Sequence, residues 1–346
     1  ETKTGKDLYS YQKGAIDKIF KAFDDAPQDY HLLYQLPTGG GKTVIFSEIV
    51  RQYLKNHNKR VLIMTHRIEL LYQTSNMLTE FGVINKVVNS TANLDDQDQY
   101  SCFVAMVETL NNRLQDDKFD ISNIGLVIID EAHYNSFTKL FGYFDKSFIL
   151  GVTATPLSSN IKLPMNDNYN ELIVGETIEA LIENEFLSRA NTYSYNVGLT
   201  SLEIGANGDY TVKSSEDLYT TNDMLSKLMH AYEEHSKGKK TLIFNNGINT
   251  SLHVYDAFNY AGYPVRHLDN TATKKQRQEI LEWFHVTPDA ILTSVSILTT
   301  GFDEPTVESI ILNRATKSLT LYYQMIGRGS RILKDKSTFD VIDLGN

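Results

Sequence analysis

The feature that most constrains the fold is a regular alternation of short apolar runs with segments of helical periodicity. In the N-terminal half the apolar runs are RVLIMTH (60–66), SCFVAMV (101–107), IGLVIID (124–130) and SFILGVTAT (147–155). Helix-like segments such as VIFSEIVRQYLKNH and RIELLYQTSNMLTEF lie between them. Wholly apolar strands separated by helices are typical of a parallel sheet that helices cover on both faces.

The alternation restarts in the C-terminal half with KTLIFNN (240–246), YPVRHLD (263–269), DAILTSV (289–295) and ESIILNR (308–314). A chain of 346 residues is long for one domain, and two is the natural expectation. We therefore predict two α/β domains, residues 1–185 and 186–346, with the boundary near 176–188. The polar segment 198–223 is predicted to be a surface excursion or hairpin near the junction, and the terminal FDVIDLGN is predicted to be an interrupted strand.

Composition excludes several classes of protein. The sequence contains no run of about 18 apolar residues, so no membrane span is predicted, and its first ten residues, ETKTGKDLYS, lack the apolar core of a signal peptide. A single cysteine, Cys102, excludes an internal disulfide and a cysteine-based zinc cluster, and it fits a reducing, cytoplasmic-type compartment. The net charge of −10 argues against a uniformly basic coat for nucleic acid, but not against a local basic cleft.

The segment HLLYQLPTGGGKTVIFSEIV (31–50) has the order strand, glycine-rich turn, helix. Backbone N–H groups of such a turn point at a bound phosphate, and the helix dipole adds to their attraction. Lys42 would neutralise the β- and γ-phosphates and Thr43 would bind Mg²⁺. The usual pattern begins with glycine six residues before the lysine, where this chain has Leu36. The alternative is a glycine-rich turn followed by a surface lysine.

The segment LVIIDEAH places Asp130 and Glu131 directly after an apolar strand. Ligands of open α/β sheets bind at the carboxyl ends of the strands. There Asp130 could hold Mg²⁺ through its water shell, and Glu131 could orient or deprotonate a water that attacks the γ-phosphate. The alternative, two acids that simply end a strand, loses weight once a phosphate loop lies upstream.

The segment LYYQMIGRGSRIL carries Gln324, Arg328 and Arg331 at spacings of four and three, which would place them on one face of a helix. Guanidinium groups stabilise the charge that develops during phosphoryl transfer. The alternative is a solvated basic helix face. Gly327 and Gly329 argue against it, because glycine destabilises a helix and indicates close approach of another surface.

Taken together and in order, these segments resemble a superfamily 2 helicase or translocase with two RecA-like domains, over nearly the full chain. The matching motifs are LYSYQ, LPTGGGKT, MTHRIELLYQ, FVAMVETL, DEAH and TATP in the first domain, and TLIFNNGINTS, TSVSILTTGFDEP and QMIGRGSR in the second. The residues of these motifs are most similar to those of bacterial RadD-like and XPB-like DNA helicases, followed by the translocating subunits of restriction enzymes. RadD-like proteins extend beyond the last motif, so the resemblance leaves room for a C-terminal extension absent from this chain.

The resemblance implies that Mg–ATP binds in the cleft between the two domains and that hydrolysis requires their closure. The residues it assigns to the nucleotide are Gln12, Thr38, Gly39, Gly40, Gly41, Lys42, Thr43, Gly301 and Asp303. The residues it assigns to catalysis are Lys42, Glu131, Gln324, Arg328 and Arg331, with Thr43 and Asp130 at the metal. Neither domain supplies the complete set.

The same resemblance implies strand contacts from His66, Arg67, Thr109 and Thr299, and coupling of the two sites through His133, Thr153 and Thr155. The alternatives are a surface salt bridge for Arg67 and simple capping for the threonines. Phosphate contacts predict affinity that depends on salt and hardly on base sequence. DNA is expected in preference to RNA. The competing hypotheses are a nucleotide-dependent clamp that hardly turns over, a motor serving a nuclease on another domain or subunit, and an RNA helicase.

Overall fold

A computed structural model describes residues 7–27, 29–156, 164–295, 298 and 302–345. The chain divides into two compact units, residues 1–178 and 179–346. The sequence-based prediction placed this division at 185, just beyond the short helix Ile178–Glu183 in which the structural division falls. None of the helices in the described ranges combines the length and the apolar character that a membrane crossing requires.

The first unit is a seven-stranded sheet in which all pairs are parallel. Its strands are β1 (His31–Gln35), β2 (Arg60–Thr65), β3 (Lys86–Val88), β4 (Cys102–Met106), β5 (Ile124–Asp130), β6 (Phe148–Thr153) and β7 (Glu171–Val174). The strand order is β3-β4-β2-β5-β6-β1-β7. The connecting helices are α1 (Ser10–Asp24), α2 (Lys42–Asn56), α3 (Ile68–Glu80) and α4 (Val107–Gln115), and α5 (Ile178–Glu183) leads into the second unit. Short 3₁₀ helices cover Gln97–Gln99, Asn135–Tyr143 and Met165–Asp167.

The second unit is a six-stranded parallel sheet of order β10-β11-β9-β12-β13-β8. Its strands are β8 (Arg189–Ser194), β9 (Thr241–Asn245), β10 (Val265–Leu268), β11 (Ile291–Val295), β12 (Ser309–Asn313) and β13 (Thr338–Asp343). Its helices are α6 (Val212–Tyr219), α7 (Asn222–His235), α8 (Ile248–Tyr260), α9 (Lys274–Val286) and α10 (Leu319–Ile326), and a 3₁₀ turn covers Leu199–Ser201.

Both sheets are buried on both faces, which explains the continuous apolar runs in their central strands. In β1, for example, Leu32 and Tyr34 pack into one apolar cluster and Leu33 into the cluster on the other face. The second unit has the same two-sided arrangement. Cys102 is fully buried in the first of these clusters, and burial raises the pKa of its thiol. The predicted fold class is confirmed, and the eight predicted strands are present to within two residues at each end.

The structure adds detail to the predicted excursion and corrects the predicted interrupted strand. The segment 198–223 contains a short turn closed by an antiparallel bridge between Ile204 and Tyr210, and then enters helix α6 and the start of α7. Thr211 is the N-cap of helix α6, since its side chain accepts a hydrogen bond from the Ser214 N–H at 3.2 Å. The helix was not predicted because its sequence is polar. The terminal strand is not interrupted, since β13 pairs along its whole length with β8 and ends at Asp343.

Candidate active site

The glycine-rich loop between β1 and α2 combines left-handed backbone with close packing. Gly39 and Gly41 have φ values of 90° and 86°, and Gly41 is the N-cap of α2, whose first residue is Lys42. A Cβ on Gly41 would lie 2.5 Å from Nε2 of Gln12. Side chains are therefore disfavoured both by conformation and by space, and the loop leads into the N-terminus of a helix, the end that attracts an anion.

Leu36 forms the floor of this loop. It is fully buried, its N–H donates to the Thr153 carbonyl at 3.0 Å, and its Cγ lies 2.7 Å from where a Cβ on Gly40 would be. The loop closes above it through a hydrogen bond from the Gly40 N–H to the Pro37 carbonyl at 3.0 Å. The leucine at the position where glycine is usual thus takes part in packing and supports the turn from below.

Helix α1 holds the loop from the side. The Tyr11 hydroxyl donates to the Gly40 carbonyl at 2.6 Å, and Gln12 Nε2 lies 3.5 Å from the same oxygen. The other end of the Gln12 amide accepts from the Tyr9 N–H at 3.0 Å and caps the helix. Gln12 is therefore placed against the phosphate loop, and its assignment to the adenine stays a prediction.

The register of the parallel strands brings the functional strand ends to one level. Met64 pairs with Ile129, Asp130 pairs with Val152, and Gln35 pairs with Thr153. The residues that follow β1, β2, β5 and β6 consequently meet at the carboxyl edge of the first sheet, where ligands of such sheets bind.

Asp130 is a buried acid within the electrostatic reach of the loop lysine. It is 3% exposed, and burial together with the neighbouring Glu131 raises its pKa, while Lys42 and the Glu131 N–H oppose that rise. Lys42 itself donates to the Leu36 carbonyl at 3.4 Å. A buried carboxylate of this kind is stabilised by a cation, and the hydroxyl of Thr43, in the first turn of α2, is a second hard oxygen ligand.

This donor set fits Mg²⁺. In the described ranges no three His, Cys, Asp or Glu side chains converge on a metal position. Mg²⁺ needs no such cage, because it keeps several waters and binds through one or two protein oxygens together with substrate phosphates. Thr43 and Asp130 would be those protein ligands.

Glu131 adopts an unusual backbone conformation beside Asp130. Its φ is 55°, its N–H donates to Asp130 Oδ1 at 3.0 Å, and it is 8% exposed. A left-handed conformation costs an L-residue about 1–2 kcal/mol, and such strain concentrates at functional sites. The Glu131 N–H thus stabilises the Asp130 carboxylate, while the Glu131 carboxylate lies beside His133.

The three predicted coupling residues form one hydrogen-bonded network, which lies against the Glu131 carboxylate. Thr153 Oγ1 donates to the Thr155 carbonyl at 2.9 Å and accepts from the Thr155 N–H at 3.1 Å. His133 Nδ1 lies 3.0 Å from Thr153 Oγ1 and 3.5 Å from Glu131 Oε2. Because the threonine proton is already donated, Nδ1 is assigned the imidazole proton. Burial lowers the pKa of His133, so the ring is held neutral.

The predicted strand-binding residues differ in their surroundings. Arg67 is the N-cap of α3 and Thr109 lies in the first turn of α4, both partly exposed. Both ring nitrogens of His66 are buried and have no hydrogen-bond partner among the described residues, and burial lowers the pKa of His66 to about 4. A phosphate contact through this ring would require the ring to leave its position. Thr299 lies outside the described residues.

The arginine segment of the second unit is not a single helical face, contrary to the sequence-based prediction. Helix α10 ends at Ile326, and Gln324 is its last buried polar residue. Arg328 lies in the turn that follows and Arg331 lies beyond it. The helix stops at Gly327 because the next glycine lets the chain approach β13: a Cβ on Gly329 would lie 2.2 Å from the Phe339 ring.

Both arginines nevertheless converge on one short segment of their own unit. Arg328 Nη1 donates to the Phe302 carbonyl, and Arg331 Nε donates to Asp303 Oδ1 at 3.1 Å. The sequence resemblance assigned Asp303 to the nucleotide. In the structure the Asp303 carboxylate forms an ion pair with Arg331. Gly301 lies outside the described residues.

Sequence reasoning missed a polar network at the carboxyl edge of the second sheet. Asn313 donates to Asn245 at 2.8 Å, and Asn245 donates to Thr293 at 2.9 Å, across β12, β9 and β11. From there Ser251 and His267 extend the network to Asp269. Ser251 is fully buried, so this serine–histidine–aspartate set is structural. The signal in the sequence was a polar residue at the end of each apolar run.

Comparison with known proteins identifies both units. A model of the type III restriction enzyme res subunit matches residues 5–158, and a model of the helicase conserved C-terminal domain matches residues 221–333. The putative ATP-dependent helicase IRC3 of Saccharomyces cerevisiae is 28% identical over 97% of this chain, which spans 51% of that relative. The chain therefore covers about half the length of this curated relative.

Solved structures agree with the fold. A fragment of a putative HsdR subunit of a type I restriction enzyme from Vibrio vulnificus YJ016 has a TM-score of 0.74 at 20% identity, covering 96% of this chain and 63% of its own. The type ISP restriction-modification enzyme LlaBIII bound to DNA has a TM-score of 0.73 at 18% identity, covering 98% of this chain and 28% of its own. The first unit thus matches the res-subunit model and the second matches the helicase C-terminal model, in the order and with the phosphate loop and acid pair of superfamily 2 helicases.

Proposed function

We propose that the chain is an ATP-dependent DNA helicase or translocase that couples Mg–ATP hydrolysis to movement on nucleic acid. The observation that carries the proposal is the assembly of the glycine loop, Asp130 and the Glu131–His133–Thr153 network at one edge of the first sheet. An ordinary nucleotide-binding fold needs the first two elements. The third supplies a positioned base and a route from it to neighbouring strand ends.

In the proposed reaction the loop N–H groups and Lys42 bind the phosphates, and Thr43 and Asp130 would hold Mg²⁺. The metal, when bound, neutralises charge on the β- and γ-phosphates. Glu131 orients the attacking water and accepts its proton, since its backbone turn separates it from Asp130. His133 lies against Glu131, with Nδ1 3.5 Å from Oε2, and helps to position its carboxylate.

We propose that the second unit supplies Gln324, Arg328 and Arg331 when the two units close on ATP. Guanidinium groups contribute about 10³–10⁵ in rate where they complete a phosphoryl-transfer site. The pairing of Arg331 with Asp303 supports this role, because it keeps the guanidinium ordered before closure. Arg331→Ala is expected to lower kcat far more than it weakens ATP binding, and equal losses would reduce Arg331 to a binding residue.

DNA as the polymer is supported by the match to LlaBIII, whose structure was solved bound to DNA. The second candidate, the motor subunit of a restriction system, is favoured by the res-subunit model and the HsdR fragment. We also propose kinship to RadD-like or XPB-like helicases and a role in repair, because the motif residues resemble theirs. A further domain is proposed because the relatives are longer than this chain. A bacterial-type cytoplasmic location is likewise a proposal.

The test is the ATPase rate of the whole chain with double-stranded DNA, single-stranded DNA or RNA, together with a strand-displacement assay. Stimulation by DNA is the expected result, and no stimulation by any polymer would overturn the motor function. Lys42→Ala should abolish hydrolysis. Lys55→Ala, on the exposed C-terminal end of the same helix, is the matched control and should retain it.

A further inference from the structure

Tyr134, the residue directly after the DEAH sequence, lies between two histidines of the first unit. Its ring centroid is 4.1 Å from that of His66 and 4.3 Å from that of His133, and each pair of ring planes is tilted by 38°. The three rings form a continuous stack, His66–Tyr134–His133, that joins the end of β2 to the turn after β5.

Each end of this stack touches a residue with an expected function. At one end, His133 lies 3.5 Å from Glu131 Oε2 and 3.0 Å from Thr153 Oγ1. At the other end, His66 precedes Arg67. Burial raises the pKa of Tyr134, and the positive charge of the nearby Arg67 opposes that rise.

The stack is held by packing on the His66 side. The Phe137 ring meets the His66 ring edge-on, with centroids 6.4 Å apart and planes at 90°. Neither ring nitrogen of His66 has a hydrogen-bond partner in the part of the chain that the structure describes. The His66 ring can therefore shift with Tyr134 without breaking a hydrogen bond, whereas a shift of the His133 ring changes its contacts with both Thr153 and Glu131.

We propose that Tyr134 is a positioning residue that transmits strand binding at Arg67 to the hydrolytic site at Glu131. The inference rests on the proposed function, because it presupposes that Arg67 meets a nucleic-acid strand. When Arg67 engages a phosphate, the adjacent His66 ring moves against Tyr134 and the electrostatic interaction of Arg67 with the tyrosine hydroxyl changes. The tyrosine ring then shifts against His133, and His133 reorients Glu131. His66 serves in this device as a packing partner, and its ring makes no phosphate contact.

The test compares Tyr134→Leu, which removes the stack, with Tyr134→Phe, which keeps both ring contacts and loses only the hydroxyl. The measurements on the whole chain are basal kcat and KM for ATP, DNA-stimulated kcat, and DNA affinity by fluorescence anisotropy. Coupling free energies between sites are typically worth a factor of 5–150, so Tyr134→Leu should lower the fold-stimulation by DNA about tenfold and Tyr134→Phe by about threefold. Basal kcat and DNA affinity should stay within about twofold of the wild-type values, because in this proposal the Tyr134 ring contacts neither ATP nor DNA.

The matched control is Tyr143→Leu, since Tyr143 ends the 3₁₀ helix that follows Tyr134 and is 39% exposed. It should retain wild-type stimulation. If basal and stimulated rates of the Tyr134 variants fall equally, the residue merely supports the active site and the inference is overturned. Loss of DNA affinity would overturn it too, because Tyr134 would then be a strand contact.

Failure of the inference differs visibly from failure of the proposed function. A wild-type chain that no polymer stimulates overturns the proposed function and the inference with it. A stimulated wild type with an equally stimulated Tyr134→Phe and Tyr134→Leu overturns the inference alone. Should Tyr134→Leu fail to fold, the threefold loss expected for Tyr134→Phe still decides the question.

Discussion

Gly40→Ala tests whether Leu36 is the floor of the phosphate loop. The new Cβ would lie 2.7 Å from Leu36 Cγ, 2.9 Å from Leu36 Cδ2 and 3.1 Å from the Pro37 carbonyl oxygen. Leu36 is completely buried and has no room to withdraw. Overpacking of this kind costs about 1–3 kcal/mol. Gly40 is not in the left-handed region, so the cost comes from contact alone.

A double-mutant cycle isolates the free energy of the contact between Leu36 and the new methyl group at position 40. Leu36→Ala alone opens a cavity and should cost about 2–5 kcal/mol. In the double variant Leu36→Ala/Gly40→Ala the new methyl group enters the space that the leucine left. The double variant should therefore be more stable than the sum of the single effects by about 1–3 kcal/mol, the size of coupling found between residues in contact.

Amide hydrogen exchange read by mass spectrometry is the appropriate assay, because it reports the stability of α2 and the loop separately from the second unit. Gly142→Ala is the control, since a Cβ there would have no neighbour within 4 Å. Additivity of the two single effects to within about 0.5 kcal/mol would refute the claim that Leu36 supports Gly40.

Three further predictions concern other positions. Gly41→Ala should cost about 1–2 kcal/mol of stability and weaken ATP binding in a titration, because its φ is 86°; wild-type affinity would contradict this. His66 has a pKa of about 4 in the folded chain against 6.5 ordinarily, so the unfolded chain binds the extra proton and stability falls as pH drops from about 6.5 to 4. His66→Phe should remove about 3 kcal/mol of this pH-dependent loss of stability, measured by urea unfolding at pH 7 and pH 4, and an unchanged pH dependence would show that the ring is accessible. Gly329→Ala should collide with the Phe339 ring at 2.2 Å and lower the thermal stability of the second unit by about 1–3 kcal/mol; a neutral effect would contradict the close approach.

Local chemistry made much of the fold and part of the site predictable. Buried parallel strands need continuous apolar runs, so the central strands could be read directly. The edge strands β7 and β8 could not, because their side chains are mostly exposed and carry no such pattern. The helical face expected for the arginines was wrong because the periodicity of LYYQMIGRGSRIL is compatible with a helix, while the space around Gly329 is set by Phe339 on β13.

The sequence by itself determined the phosphate loop, the acid pair and the two-domain α/β organisation, because each depends on residues adjacent in the chain or on a repeating pattern. Only the tertiary structure decided what surrounds them. In the structure Leu36 packs beneath Gly40, and the His66 ring packs against Tyr134. Asn313 donates a hydrogen bond to Asn245 on the neighbouring strand. These contacts depend on the register of parallel strands whose connections are long. Register is set by the burial of whole sheet faces, and no local pattern encodes which strand ends will meet.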